Sequence, residues 1–309
     1  MTISAPDRAA LAELDFRLKT VLPEAYQDSY ETVQPVSMGS AALKYADDGQ
    51  VAWDEIWETF CDLAMAGGPP HKGTLLEPGS EAEIAAHPDQ YQRVVDEICR
   101  GVTMVSELPA DGSPMPGWIQ AQCYSDVMAG WLLRAIVMEN VAVHAEGRWL
   151  YLPAAPAFRV EKEIKNVITV IAKTCHYYMG HMPRSQQRAI AGLFTTLAVE
   201  SPLLVPARAN GLPRADEDAA VYNAVADRIQ RATGLRSSSH EYGGWLGVEC
   251  ADVRTAVWVM RAMVVSNVLA RREGVMLFLP INPSSDPHGE RVARTFEHAH
   301  RLASLRLSS

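Results

Sequence analysis

Three short stretches bring together side chains able to move protons or hold a ligand. Residues 174–181 read Thr-Cys-His-Tyr-Tyr-Met-Gly-His, and the imidazole of His176, which titrates near neutral pH, suits general acid/base work. His181 follows five positions later. On an ideal α-helix such a pair is displaced around the axis, whereas an i, i+4 pair can grip one ion, so the spacing argues against a shared metal. Residues 68–73, Gly-Pro-Pro-His-Lys-Gly, place His71 beside a cation, Lys72, on a stiff backbone. That pairing suits an anionic group, although the GxxxxGK[ST] spacing of a phosphate loop is missing. Residues 237–244, Ser-Ser-Ser-His-Glu-Tyr-Gly-Gly, offer His240 as acid or base with Glu241 to orient it. Neighbours on extended chain point to opposite faces, so the two need not cooperate. Each stretch also has a plainer reading: a buried or helix-end histidine, a rigid turn, a solvated glycine-rich loop.

Two arginines complete the set. Arg134 and Arg261 each sit in the middle of an apolar run. A guanidinium there needs a partner, either a substrate carboxylate or one of the carboxylates Glu146, Glu273, Asp126 and Asp252.

These residues are carried by a segment that occurs twice. Residues 117–153 align without a gap on residues 244–280, 127 positions later, with fifteen identities that include Trp118/Trp245, Cys123/Cys250, Arg134/Arg261, Asn140/Asn267 and Pro153/Pro280. In each copy a short strand beginning at the tryptophan is followed by a helix that is apolar almost all round and therefore buried. Ser125 or Asp252 can cap that helix, and Asn140 or Asn267 fits the left-handed position at its end. An alternating stretch across a Glu-Gly turn then reads as a β-hairpin, or its first limb extends the helix. Helices over 88–105 and 216–233 match one another. The spacing of Trp53, Ile56, Trp57, Phe60, Cys61 and Ala64 predicts a further helix over 51–66, stopped by Gly67-Gly68 and aligned with 161–182.

The expected architecture is α+β: two related halves from an internal duplication, each a strand-helix-strand-strand kernel with flanking helices, in a pseudo-two-fold arrangement. Residues 1–50 form an arm and loop, whose helix over 7–22 could be capped by Asp7. The first half runs over 51–156 and the second over 157–282, and residues 283–309 form a docking helix.

Composition narrows the function. The 309 residues carry a net charge of −9 without a clustered basic face, which sets nucleic acid aside. No apolar run approaches a bilayer span and the N-terminus lacks the look of a signal peptide, so a cytoplasmic protein without membrane contact is expected. Five scattered cysteines read as reduced, buried thiols. There is no Ser-His-Asp elbow, GxGxxG, CxxC or HExxH. The expected function is an enzyme, a lyase or hydrolase by preference, that treats a small anionic metabolite by histidine-centred acid/base chemistry. His176, His71, His240 and Glu241 are the catalytic candidates; Lys72, Arg134 and Arg261 are the ligand contacts. No cofactor is specified, but a divalent metal is compatible with the same residues. The alternatives are a non-catalytic metal- or cofactor-binding protein and a homo-oligomeric scaffold.

Overall fold

The computed structural model describes residues 3–30, 42–57, 62–207, 216–238 and 242–307. The fold is α+β, with mixed helices and two four-stranded antiparallel sheets. In chain order the elements are α1 (Ala5–Val21), α2 (Glu81–Ala86), α3 (Pro88–Ser106), β1 (Ala110–Gly112), β2 (Trp118–Gln122), α4 (Asp126–Met138), β3 (His144–Glu146), β4 (Trp149–Pro153), α5 (Lys165–Cys175) and α6 (Arg184–Glu200). They continue as α7 (Asp216–Thr233), β5 (Ser237–Ser238), β6 (Trp245–Glu249), α8 (Val253–Val265), β7 (Arg271–Glu273), β8 (Met276–Pro280) and α9 (Glu290–Leu307). Two compact units result, Pro23–Gln187 and Met1–Leu22 with Arg188–Ser309. α5 therefore goes with the first sheet.

In the first unit the strand order is β1-β2-β4-β3, and in the second it is β5-β6-β8-β7. The registers agree residue for residue: Ala110 faces Ala121 where Ser237 faces Val248, and Trp118 faces Pro153 where Trp245 faces Pro280. The edge strands β1 and β5 are additions to the expected kernel. They are too short and too polar to show a period-2 pattern. The hairpin reading holds in both units. Glu146 pairs with Trp149 and Glu273 with Met276, and Gly147 and Gly274 take φ of 55° and 58° at the first loop position, which a tight hairpin reserves for glycine.

α4 and α8 are held as their sequences require. The Ser125 hydroxyl accepts from the Met128 N–H at 3.1 Å, and the Asp252 carboxylate accepts from the Thr255 N–H at 2.7 Å. Asn140 and Asn267 both adopt φ of 61° just past the helix end. Their side-chain amides donate to the carbonyls of Lys72 and Ser201, fastening a preceding extended segment to each helix. Those segments make matching parallel bridges, Leu76 to Val141 and Leu204 to Val268.

Two local expectations are corrected. Over 51–66 the described residues form 3-10 turns at Trp53–Glu55 and Ala64–Ala66, not a helix. Trp53, Ile56, Leu63 and Met65 are nevertheless buried, so their apolar spacing reflects anchors pressed into a core and not an amphipathic face. Phe60 and Cys61, the latter among the residues that align this stretch with 161–182, lie outside the described residues. In α1 the cap is Ser4, whose hydroxyl accepts from the Asp7 N–H at 3.3 Å, so Asp7 lies inside the first turn. Elsewhere Gly101 lets α3 lie against α5: a Cβ there would stand 2.2 Å from Ile168 Cδ1. The C-terminal helix appears as expected, with Val292, Phe296 and Leu302 buried. Among the described residues no helix is long and apolar enough to cross a membrane.

Candidate functional site

Past α5 the chain keeps turning but widens into a π-turn, His176–Gly180. A π-turn closes its hydrogen bonds over five residues instead of four, so side chains at i and i+5 come onto one face. His176 and His181 accordingly meet, Nε2 to Nε2 at 3.0 Å, with ring centroids 4.7 Å apart and planes at 67°. Both are exposed. The divergence expected from ideal helical geometry is therefore overturned. Partial desolvation, and second the neighbouring His181, lower the His176 pKa below its usual value.

The turn is buttressed from within. Tyr177 packs its ring against both imidazoles, at centroid distances of 5.7 and 5.4 Å. Its hydroxyl lies 2.8 Å from that of Tyr26, which donates to Asp62 Oδ1 at 2.6 Å. With its own proton committed to the carboxylate, Tyr26 must accept from Tyr177. Burial first, then Asp62, raises the Tyr26 pKa far above that of a free phenol, so Tyr26 stays protonated.

His181 also lines an open cavity of about 820 Å3, together with Glu24, Tyr124, Tyr178, Arg184 and Gln187. The Tyr178 ring rests on Trp131 at 5.4 Å, which fixes that wall to α4. The cavity can receive a small molecule, and Arg184 contributes a cation with the fork geometry that matches a carboxylate or phosphate.

His71 belongs to a second arrangement, at the C-terminal end of α4. Glu139 is wholly buried there; its Oε1 accepts from the Ala64 N–H at 2.9 Å, and its Oε2 accepts from the His71 N–H at 2.8 Å. The Lys173 ammonium, also wholly buried, stands 2.8 Å from the same Oε2. His71 Nε2 is 3.1 Å from Asn166 Oδ1, and since an amide oxygen only accepts, Nε2 carries the proton. Burial, and after it the Lys173 charge, push the His71 pKa down to about 4. The turn that suggested an anion site is thus sewn to α4 by its backbone, with the Lys72 N–H donating to the Glu139 carbonyl at 3.1 Å. In the sequence alignment Ser266 stands opposite Glu139.

Arg134 and Arg261 are both buried. Arg134 donates to the Gly130 carbonyl at 2.8 Å, and burial lowers its pKa to about 9. Of the carboxylates expected to pair with these arginines, Glu273 binds Arg271 at 2.6 Å and Asp252 caps α8. His240 and Glu241 lie outside the described residues. Cys123 and Cys250 are buried, and burial pushes both thiols up to about 12, so neither is poised as a nucleophile. Among the described residues no group of three or more His, Cys, Asp or Glu is placed to hold a metal ion.

Sequence reasoning missed Glu139, Lys173, Asn166, Tyr26, Asp62 and Arg184. Lys173 alone left a signal, a single charge in the apolar run Val-Ile-Thr-Val-Ile-Ala-Lys-Thr-Cys.

No protein-family model matches the chain, and no curated protein matches it. Among solved structures, Sphingomonas wittichii serine palmitoyltransferase aligns at 14% identity over 56% of this chain and 43% of its own, with a TM-score of 0.22. This chain thus spans less than half of that protein's length, and a superposition so loose carries no inference about fold or chemistry.

Proposed function

We propose that the protein is an enzyme acting on a small anionic metabolite held in the cavity beside Arg184, by histidine-centred acid/base chemistry of the lyase or hydrolase kind. The observation that carries this reading is that Arg184 and His181 line one open cavity while His176 is in contact with His181. A guanidinium orients a carboxylate or phosphate, and an acid/base centre within reach of the bound molecule is what a lyase or hydrolase needs. His71 and Lys72 have a positional part here, fixing the end of α4. Arg134 has a structural part, donating back to its own helix at the Gly130 carbonyl.

We also propose that the two units descend from one duplicated ancestor. Their matching registers, caps and left-handed asparagines support this. So does a shared aromatic setting. His144 stacks on Tyr151 at 4.4 Å with Trp118 edge-on at 6.0 Å, and the equivalent Arg271 guanidinium lies 4.0 Å from Phe278 and 5.2 Å from Trp245. The first unit alone has Glu139 and the histidine pair, as expected if the ligand site specialised in one copy.

The reading is tested by screening carboxylate and phosphate metabolites for a rise in Tm, then comparing the wild-type chain with Arg184→Gln and His181→Ala. Binding should weaken about tenfold or more in the first, and turnover of the bound compound should fall about a hundredfold or more in the second. Anion binding indifferent to Arg184 would refute the site. Tight binding without turnover would favour the non-catalytic alternative.

A further inference from the structure

We propose that His176 and His181 together chelate one divalent first-row transition-metal ion, through their two Nε2 atoms, beside the cavity that His181 lines. This deepens the reading above and rests on it only for the cavity: the acid/base group would then be a water on the ion instead of a bare imidazole.

Geometry carries the inference. The two Nε2 atoms are 3.0 Å apart, and the lines of approach are set by a π-turn that itself is braced through Tyr177, Tyr26 and Asp62. With metal–nitrogen bonds of about 2.0–2.1 Å, a nitrogen separation of that size subtends close to a right angle at the ion. Neighbouring positions of a square or octahedral shell meet at that angle, which fits Ni2+ or Cu2+ without movement. Tetrahedral Zn2+ would need the nitrogens to part by a few tenths of an ångström. In the metal-free chain the same contact is an imidazole–imidazole hydrogen bond, and chelation requires the donating ring to carry its proton on Nδ1 instead, so that both Nε2 atoms offer lone pairs. π-turns inside helices recur at functional sites.

Two ligands make an open site. No third His, Cys, Asp or Glu joins the pair among the described residues, so the remaining positions fall to water or to a ligand in the cavity. His181 lines that cavity together with Arg184, so an anionic ligand could contact both the ion and the guanidinium. Such a group would have its charge neutralised from two sides, and an ion-bound water next to it would be the more acidic for its coordination.

The test titrates the full chain with NiCl2 in a calorimeter, with no substrate present. One equivalent should bind, and His176→Ala and His181→Ala should each weaken it about a hundredfold or more, because either change removes the chelate and leaves single-point attachment. His71→Gln should leave the affinity unchanged. Cu2+ bound to the wild-type chain should show two equatorial imidazole nitrogens by electron paramagnetic resonance, and one in either alanine variant. Absence of binding, or binding that either alanine variant retains in full, overturns the proposal. Because no turnover is read, such a failure leaves the Arg184-dependent binding of anionic metabolites to be judged on its own.

Discussion

The Lys173 ammonium lies 2.8 Å from Glu139 Oε2, and neither side chain touches solvent. Glu139 stands at the C-cap of α4, where the helix dipole disfavours a negative charge. The ammonium and the two backbone N–H groups of Ala64 and His71 offset that penalty. Removing one partner leaves the other charge buried and alone. Lys173→Met should destabilise the protein by about 3–5 kcal/mol, and Lys173→Met/Glu139→Gln should cost clearly less than the two single changes added together. Urea unfolding of the three variants measures this, and strict additivity would show that the charges are not coupled.

His71 gives stability a pH dependence of defined sign. Its folded-state pKa, about 4, lies below the unfolded value near 6.5, so between these limits the unfolded chain binds the extra proton. Its contribution is therefore complete above pH 6.5, falls as the pH drops, and is gone below about pH 4. The loss amounts to roughly 3 kcal/mol. Unfolding free energies measured from pH 7.5 to 4 should decline less steeply in His71→Gln than in wild type; identical slopes would contradict the burial of this imidazole.

The left-handed glycines before β2 and β6 test the equivalence of the units. Gly117 has φ of 85° and Gly244 has φ of 76°. An added Cβ would stand 2.6 Å from the Gly79 carbonyl oxygen in one case and 2.5 Å from that of Ala207 in the other. Both obstacles are backbone, which cannot swing aside. Gly117→Ala and Gly244→Ala should each cost more than about 1 kcal/mol, through the left-handed dihedral and the clash together. Thermal unfolding should show a drop in Tm for both; a neutral effect at one site would break the correspondence.

Tyr26→Phe removes the hydroxyl between Asp62 and Tyr177. Two polar groups lose a partner, which should cost about 1–3 kcal/mol. Since Tyr177 packs against both histidines, the variant should also bind Ni2+ more weakly while keeping both ligands. Wild-type affinity in Tyr26→Phe would mean that the π-turn does not depend on this brace.

Much of the framework was legible from local chemistry. Ser125, Asp252, Asn140, Asn267 and the Glu-Gly turns act through their own backbone neighbours, within a few residues, so their roles could be read directly. The apolar faces of α4 and α8 were legible for a related reason: burial on every side leaves a composition signal that needs no partner to interpret. The stretch over 51–66 misled because anchors inserted one by one into a core can mimic a helical period. His176 and His181 misled because a widened turn has no sequence signature, and the ideal α-helix was the wrong ruler for five residues.

What the amino-acid sequence by itself determined is the repeated kernel, its caps, its turns and the set of candidate histidines, all of which depend on interactions between near neighbours. Tertiary structure alone decided that Glu139 meets Lys173 across 34 positions, that Tyr26 meets Tyr177 across 151, and that Arg184 and His181 share a cavity. The physical reason is that a buried charge or hydroxyl is satisfied by whichever group the packing brings to it, and that choice is made in three dimensions.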